Sequence, residues 1–308
     1  MESNSWQRRY YPTVNQNKLI PLTYLLLSVF FSTGLFVIFK YFGVYKITVL
    51  KAIVVNYIVA FILGFSTTNT TIEFAKIPYQ PWFLGALVLG AMFVSVFFVM
   101  AMATQKNGIS VTSIAGKMSV VVPIFFGIFL YHESVTFLKI SAILTALVAV
   151  YLASVKKEDA TENKAGLLFP VLLFFGSGAI DTTLKFVEVN YVAPEDVAIF
   201  SGSLFAIAAI FGSIVLLITT KNNRKPFGIK NIVAGIILGV PNYYSIVFLI
   251  KALQTNGFES SILFTINNVA IVIVSTLVGF LFFKEHFSTR NKIGIFFAIF
   301  AIVLITIT

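Results

Sequence analysis

The sequence predicts an all-α integral membrane protein of ten transmembrane helices, arranged as two inverted five-helix repeats. Three observations predict it: a strongly apolar composition, ten long stretches without charged residues, and a partial repetition of the sequence at half its length. The chain has 308 residues, of which 58% are apolar and 11% charged, and its mean hydropathy is +0.94. A soluble domain carries roughly 25% charged residues, so this composition excludes a soluble globular enzyme.

The composition also bears on the kinds of site that the chain can build. With no cysteine, it can form neither disulfides nor thiolate metal sites, and it has no cysteine nucleophile. Two histidines leave little for a metal site, and we expect no cofactor and no metal. The net charge of +10 comes from short basic groups between apolar runs, as is typical of membrane proteins. Nucleic acid is therefore not an expected partner.

Ten stretches lack Asp, Glu, Lys and Arg, and six of them alone reach the length of a spanning helix, ~20 residues. The fourth becomes long enough if Lys117 lies within the membrane, and the sixth if Asp181 does. Continuous apolar runs also argue against a β-barrel, which requires alternation. The predicted spans are 19–39, 47–65, 80–103, 110–131, 136–154, 167–188, 197–219, 231–252, 260–283 and 289–308.

Part of the sequence recurs in the second half. Residues 103–108 (ATQKNG) match residues 252–257 (ALQTNG), and residues 127–133 (GIFLYHE) match residues 279–285 (GFLFFKE). Each repeat then holds five spans, an odd number, so the second repeat must enter the membrane upside down. Inverted repeats are typical of secondary transporters, whose sites lie near the midplane. The predicted organisation is a polar N-terminal segment 1–18, a first repeat 19–155, a charged linker 156–166 and a second repeat 167–308.

The ten spans, the two halves and the signature of Pro123, Gly127 and Glu133 resemble the drug/metabolite transporter superfamily, in its EamA-like branch. The resemblance covers the whole chain and implies the ten-helix fold and the transport of small metabolites. Glu133 and Glu285 occupy the signature positions of the two copies. A possible cap residue follows each of them, Ser134 or Ser288, so we interpret both glutamates as architectural.

Polar residues inside the predicted spans are candidates for a binding site. A charge at the bilayer centre costs ~2.5–3.5 kcal/mol on insertion scales, so it is expected to face protein or a water-filled cavity. Lys117 shares a helix face with Ser113 and Gly116, which suits a cavity lining; the alternative is a lysine that snorkels to the interface. Asp181 is either a proton site or counter-ion of Lys117, or a structural carboxylate paired with Lys185 four residues on.

The eighth and ninth spans carry further polar stripes. Asparagine side chains donate and accept hydrogen bonds, which suits the recognition of carboxylates, amides and hydroxyls. Alternatively, small and polar residues hold membrane helices together and bind nothing. The predicted substrate-binding residues are Lys117, Ser113, Asp181, Asn242, Tyr243, Asn268 and Thr265.

We expect a secondary transporter of amino-acid-like or other zwitterionic or anionic solutes, which works by alternating access and is not an enzyme. The chain has no Walker motif, so ATP is not a direct energy source. One alternative is a sugar-phosphate or nucleotide-sugar exchanger, which needs more than one cation at its site. Another is a non-transporting receptor or scaffold, whose interior would be packed around Lys117.

The expected partners are a small-molecule substrate and the lipid bilayer, in the plasma (inner) membrane; homodimer formation and proton coupling stay open. The loops on the side of the N-terminus carry seven basic residues, and the opposite loops carry fourteen. The positive-inside rule would place both termini outside, whereas the family resemblance implies termini inside. The sequence therefore leaves the orientation undecided.

Overall fold

The computed structural model describes residues 19–67, 74–130, 136–154, 164–219, 227–254 and 260–306. These residues form eleven α-helices, and none of them lies in a β-strand. The predicted all-α class is thereby confirmed. The helices are α1 (Leu19–Val44), α2 (Val49–Ser66), α3 (Phe83–Asn107), α4 (Ile109–Met118), α5 (Val121–Leu130), α6 (Phe137–Ser154), α7 (Lys164–Tyr191), α8 (Val197–Thr219), α9 (Ile229–Gln254), α10 (Ser260–Phe283) and α11 (Thr289–Thr306).

Seven of these helices are long and apolar enough to cross a membrane: α1, α2, α3, α7, α8, α9 and α10. The chain is therefore an integral membrane protein by length and composition. The predicted bounds 197–219 and 260–283 coincide with α8 and α10. The helix α7 begins at Lys164, inside the predicted linker 156–166, and the rest of that linker lies outside the described residues. The predicted N-terminal segment 1–18 lies outside the described residues.

The fourth predicted span is not one helix, and the prediction of a continuous helix over 110–131 was wrong. It is divided into α4 and α5 by a turn at Ser119 and Val120. Pro123 explains the break, because its ring clashes with the carbonyl four residues earlier and it has no N–H to donate to it. That carbonyl belongs to Ser119, and it accepts a hydrogen bond from the N–H of Val122 instead, at 2.8 Å.

Contacts between helix termini show how the helices run. Thr48, just before α2, donates its N–H to Oδ1 of Asn231 at the start of α9, at 2.9 Å. Glu285, just after α10, accepts a hydrogen bond from the N–H of Ile109 at the start of α4. Both contacts lie at the same end of the bundle, which we call the second end. The helices α1, α3 and α10 finish there, and α2, α4 and α9 begin there. The opposite end, where α1 begins, is the first end.

The helix α7 runs antiparallel to α3. Near the start of α7, the ring of Phe169 lies 4.6 Å from the ammonium of Lys106 at the end of α3. Near the end of α7, Val187 packs on Gly85 at the start of α3. The start of α7 therefore lies at the second end, whereas α1 starts at the first end.

Glycines on α9 allow it to approach α2 closely. A Cβ at Gly235 would lie 2.4 Å from Cβ of Val55, and one at Gly239 would lie 2.7 Å from Cβ of Val59. Neither glycine lines the cavity described below. These two glycines therefore serve interhelical packing, and they fix the position of α9 and its polar side chains.

Candidate functional site

A cavity of ≈ 180 Å³ lies between α1, α3, α4, α7, α9 and α10, in the middle of the bundle and toward its first end. We call it the central cavity. Its walls combine apolar side chains with a group of polar and charged ones, which is typical of small-molecule sites. The polar and charged lining residues are Ser32, Lys117, Ser177, Asp181, Lys185, Glu188, Asn242, Ser245 and Asn267.

Lys117 lines the cavity from the last turn of α4, about 12 Å along the helix from the second end. Its ammonium makes no hydrogen bond, and no ion pair within 4 Å, with any residue that the structure describes. Within the described part of the chain, the hydrogen-bond donors of this ammonium are therefore unused and available to a ligand.

Asp181 lines the same cavity from α7. Its Oδ2 lies 3.2 Å from Oγ of Ser119, whose oxygen is also 2.5 Å from the carbonyl of Gly116. Because the hydroxyl has one proton, it can donate to only one of the two at a time. Neither of the two partners considered for Asp181, Lys185 and Lys117, lies within ion-pair distance of it among the described residues. The two charges therefore face one cavity without neutralising each other by contact.

A glycine brings α7 to the break between α4 and α5. A Cβ at Gly178 would lie 2.4 Å from Cβ of Val122 and 2.9 Å from the carbonyl oxygen of Ser119. Any larger residue would push α7 away from the turn. The close approach places Asp181, three residues further along α7, within reach of the Ser119 hydroxyl.

Two buried amides, on α9 and α10, present unused acceptors in the wall of the cavity. Asn242 donates its Nδ2 to Oδ1 of Asn56 at 3.1 Å, while Asn56 donates to the carbonyl of Ile53. This chain of donors fixes the orientation of the Asn242 amide. In that orientation its Oδ1 takes no part in these bonds. Within the described part of the chain, neither Oδ1 of Asn242 nor Oδ1 of Asn267 has a hydrogen-bond partner, although both residues are 1% exposed. Buried acceptors without partners in a cavity wall suit a ligand with N–H or O–H donors.

The structure brings only some of the predicted site residues to the central cavity. Lys117, Asp181 and Asn242 meet at the central cavity. Ser113 does not line it, because its hydroxyl is buried and donates to the carbonyl of Ser110 at 2.9 Å. These differences show that membership of a polar helix face did not by itself identify the cavity lining.

Three further predicted site residues contribute no described side chain to the cavity. Tyr243 is buried behind it, with its hydroxyl bonded to that of Thr67 and its ring against Phe205. Asn268 is buried outside the lining, where its neighbour Asn267 lies instead. The side chain of Thr265 lies outside the described residues.

The sequence reasoning missed Ser32, Ser119 and Ser245. Ser245 lies three residues after Asn242, on the same helix face, so its position could have been found from the helical repeat. Ser119 lies four residues before Pro123, where a helix break is expected. Ser32 gave no comparable signal, because its span contains no charged residue against which to orient it.

The cavity is closed toward the second end. Phe36 and Met100 form its floor and belong to an apolar cluster with the buried residues Ile109 and Ile271. Toward the first end, its wall includes Lys185, which is exposed, together with Glu188 near the end of α7. The lining therefore continues from the middle of the bundle to its first end and stops short of the second.

A carboxylate closes the second end beyond this floor. Glu285 accepts hydrogen bonds from the N–H of Ile109 at 2.8 Å and from the N–H and hydroxyl of Ser110 at 3.3 and 3.1 Å. Lys40 at the end of α1 forms an ion pair with it at 3.2 Å. A negative charge at a helix N-terminus is stabilised by the orphan N–H groups there. The architectural role expected for Glu285 fits this position; Glu133 lies outside the described residues.

Comparison with known proteins identifies a similar sequence and a similar solved structure, and neither indicates a function. No family model matches the chain. An uncharacterized protein of Haemophilus influenzae is 29% identical over 287 residues, which is 90% of this chain and 95% of that protein. A solved crystal structure of a protein superposes with a TM-score of 0.56 at 16% identity, over 94% of this chain and 96% of the other. The shared fold therefore extends over nearly the whole length of both chains.

Proposed function

We propose that this chain is a secondary transporter in the plasma (inner) membrane that moves small zwitterionic or anionic metabolites by alternating access. We place it in the EamA-like branch of the drug/metabolite transporter superfamily. One observation carries the proposal: an ammonium without a contact partner among the described residues, Lys117, faces a cavity inside an apolar helical bundle. A cation kept in the interior of a membrane protein is expensive and usually serves function.

The directions of the helices support the inverted repeat. The first helix of the second half, α7, starts at the end opposite to that where α1 starts. The second helices of the two halves, α2 and α8, also start at opposite ends. The start of α8 meets the end of α2, where Gly64 and Gly202 are in close contact. The end of α10 meets the start of α4 through Glu285. Opposite directions in matching helices are expected if the second half is an upside-down copy of the first.

The broken helix supports a transport site. In many transporters, interrupted helices line the site near the midplane, because freed backbone groups there can bind ligands or ions. Here the interruption at Ser119 and Val120 lies within three residues of Lys117. It also contacts Asp181 through the hydroxyl of Ser119. Both intramembrane charges of the cavity are thus located at the interruption.

The chemistry of the cavity supports a small zwitterion or anion as the substrate. The ammonium of Lys117 attracts a carboxylate, and the free amide oxygens of Asn242 and Asn267 accept protons from an ammonium or amide group. The cavity of ≈ 180 Å³ is smaller than the ~300–1,000 Å³ that is usual for drug-sized ligands. Its size favours an amino-acid-like solute over a nucleotide-sugar. A cavity that reaches Lys117 also disfavours a packed scaffold.

The experiment is counterflow exchange in proteoliposomes against a matched panel of solutes. The panel contains amino acids, the amines that lack their carboxylate, the acids that lack their ammonium, and sugar phosphates. We expect amino acids to exchange and the amines to exchange at least about tenfold more slowly, because a hydrogen bond to a charged group contributes ~1.5–3 kcal/mol. Equal rates for amino acids and amines would contradict a carboxylate site at Lys117.

Lys117→Ala is expected to lower exchange at least about tenfold, by the same bond energy. Its matched control is Lys292→Ala, at an exposed lysine of the peripheral helix α11 outside the cavity lining. Both variants should elute from size-exclusion chromatography as the unaltered protein does. If Lys117→Ala exchanges at the unaltered rate, Lys117 is not part of the site. If no solute exchanges at all, a receptor becomes the better proposal.

A further inference from the structure

A second, almost entirely apolar cavity lies on the outer surface at the second end, between α1 and α9. We call it the second-end groove, and its volume is ≈ 450 Å³. It has no lining residue in common with the central cavity. The lining residues are Ile38, Tyr41, Phe42, Tyr45 and Ile47 from α1 and the turn after it, and Ile229, Lys230, Val233, Ala234 and Ile237 from α9.

The turn between α1 and α2 borders the part of the groove that lies nearest the second end of the bundle. Lys46 adopts a left-handed backbone conformation with φ of 53°, which reverses the chain. The N–H of Thr48 then bonds to the side chain of Asn231, which ties the turn to the first turn of α9. Tyr41 and Tyr45 stack on each other at 5.9 Å beside the groove. The two walls of the groove are therefore joined at this end by a hydrogen bond.

The length of the groove matches half a bilayer. Its α9 wall extends from Ile229 to Ile237, nine residues, whose first and last Cα atoms lie ~12 Å apart along a helix. One leaflet contributes roughly half of the ~30 Å hydrocarbon core. An acyl chain of one leaflet, lying along the helices, would therefore extend over the full length of the groove. Side chains such as Ile229 and Ile237, which are 70% and 55% exposed, would contact it.

The mouth of the groove is basic. Lys230 lines it, and Lys46 lies in the turn beside it, where both are exposed at the level at which the helices end. Tyrosines and lysines are common at the headgroup level of membrane proteins. Basic pockets between helices at this level bind anionic lipid headgroups. The neighbouring residues 220–226 (TKNNRKP) are polar in sequence, so their composition does not suit the apolar groove.

We propose that the second-end groove binds one acyl chain of an anionic glycerophospholipid, whose phosphate lies at the level of Lys46 and Lys230. The apolar walls hold the chain, and the two ammonium groups select the headgroup. This site is independent of the proposed transport site, because the two cavities have separate linings. A second copy of this chain is the competing occupant, and the experiment distinguishes it.

The experiment is native mass spectrometry of the purified full chain after delipidation and titration with phosphatidylglycerol or phosphatidylcholine of identical acyl chains. We expect at least about fivefold more bound phosphatidylglycerol at equal lipid concentration. In the double variant Lys46→Gln and Lys230→Gln, this preference should fall to less than about twofold. The matched control is Lys284→Gln with Lys292→Gln, two exposed lysines of the same end outside the groove, which should leave the preference unchanged.

A second pair of variants tests the apolar walls. Val233→Trp fills the groove from an exposed position, and Val215→Trp makes the same change on the outer face of α8, at similar exposure. Val233→Trp should remove binding of both lipids, while Val215→Trp should not. Unchanged lipid binding in Val233→Trp, or an unchanged preference in the double glutamine variant, would overturn the proposal. A dimer that dissociates in Val233→Trp, with no loss of lipid, would assign the groove to a second copy.

Discussion

The two ends of the bundle differ in what lies between the central cavity and the membrane surface. At the second end, an apolar floor is followed by Glu285, which joins α10 to α1 and α4 through four contacts. At the first end, the cavity lining itself reaches Lys185 and Glu188 near the end of α7. In this conformation the cavity is closed toward the second end, where Glu285 is a partly buried carboxylate, and its lining continues to the first end.

If the chain works by the proposed alternating access, this difference indicates what a change of access would require. Closing the first end needs side chains to move into the mouth beside α7. Opening the second end needs the Glu285 carboxylate to leave the first turn of α4, which would expose N–H groups that no other described group satisfies. Hydrogen bonds to charged groups contribute ~1.5–3 kcal/mol each. Under the proposed alternating access, the second end is therefore the better place to alter the balance between the two conformations by mutation.

Replacing Glu285 is the largest expected perturbation. The chain has no cysteine, so Met100→Cys in the cavity wall gives a single reporter thiol. We expect Glu285→Ala to raise the rate at which a small impermeant thiol reagent labels it from the second-end side by at least about tenfold, since at least one charge-assisted bond is lost. The measurement uses membrane vesicles of both orientations.

The control for this comparison is Glu195→Ala, which removes an exposed carboxylate near the first end. It should not change labelling from either side. If Glu285→Ala labels no faster from the second-end side than the unaltered chain does, Glu285 does not close that end. The difference between the two ends would then have to rest on the apolar floor alone.

Gly279→Ala is expected to have an intermediate effect on the same labelling rate. A Cβ at this position would lie 2.6 Å from Oε2 of Glu285 and 3.0 Å from Oγ of Ser110, so the carboxylate must shift. We expect a rise of about threefold to tenfold, corresponding to a loss of ~1 kcal/mol in the closed state. The matched control is Gly34→Ala, because a Cβ at Gly34 would meet nothing within 4 Å. Equal rates in both variants would show that the space around Glu285 is not tight.

The membrane class and most helix bounds could be predicted, because they depend on local composition. A stretch without charges is both necessary for spanning and visible in the sequence. The break at Ser119 was missed, although Pro123 gives the physical reason for it. Its consequence for the site was harder to foresee, since the interruption approaches Asp181 only because Gly178 admits α7.

The choice between neighbouring residues and the contacts between distant ones could not be predicted. Asn267 and Asn268 are both buried, and only the packing of α10 determines that Asn267 faces the cavity. The closure at the second end joins Glu285 to Lys40, 245 residues away, and to Ser110, 175 residues away. Sequence periodicity describes one helix at a time, so it contains no information on such pairs.

Lys40→Met is expected to have the smallest effect on access from the second end. Lys40 makes a single contact with Glu285 at 3.2 Å, and its side chain is 25% exposed, so water screens the pair. Exposed ion pairs contribute ~0.2–1 kcal/mol, and the backbone of α4 continues to hold the carboxylate. We expect labelling of Met100→Cys from the second-end side to rise by no more than about fivefold, and high salt to reproduce the rise in the unaltered chain. A rise as large as that of Glu285→Ala would contradict this ranking, because it would show that Lys40, rather than the first turn of α4, keeps the carboxylate in place.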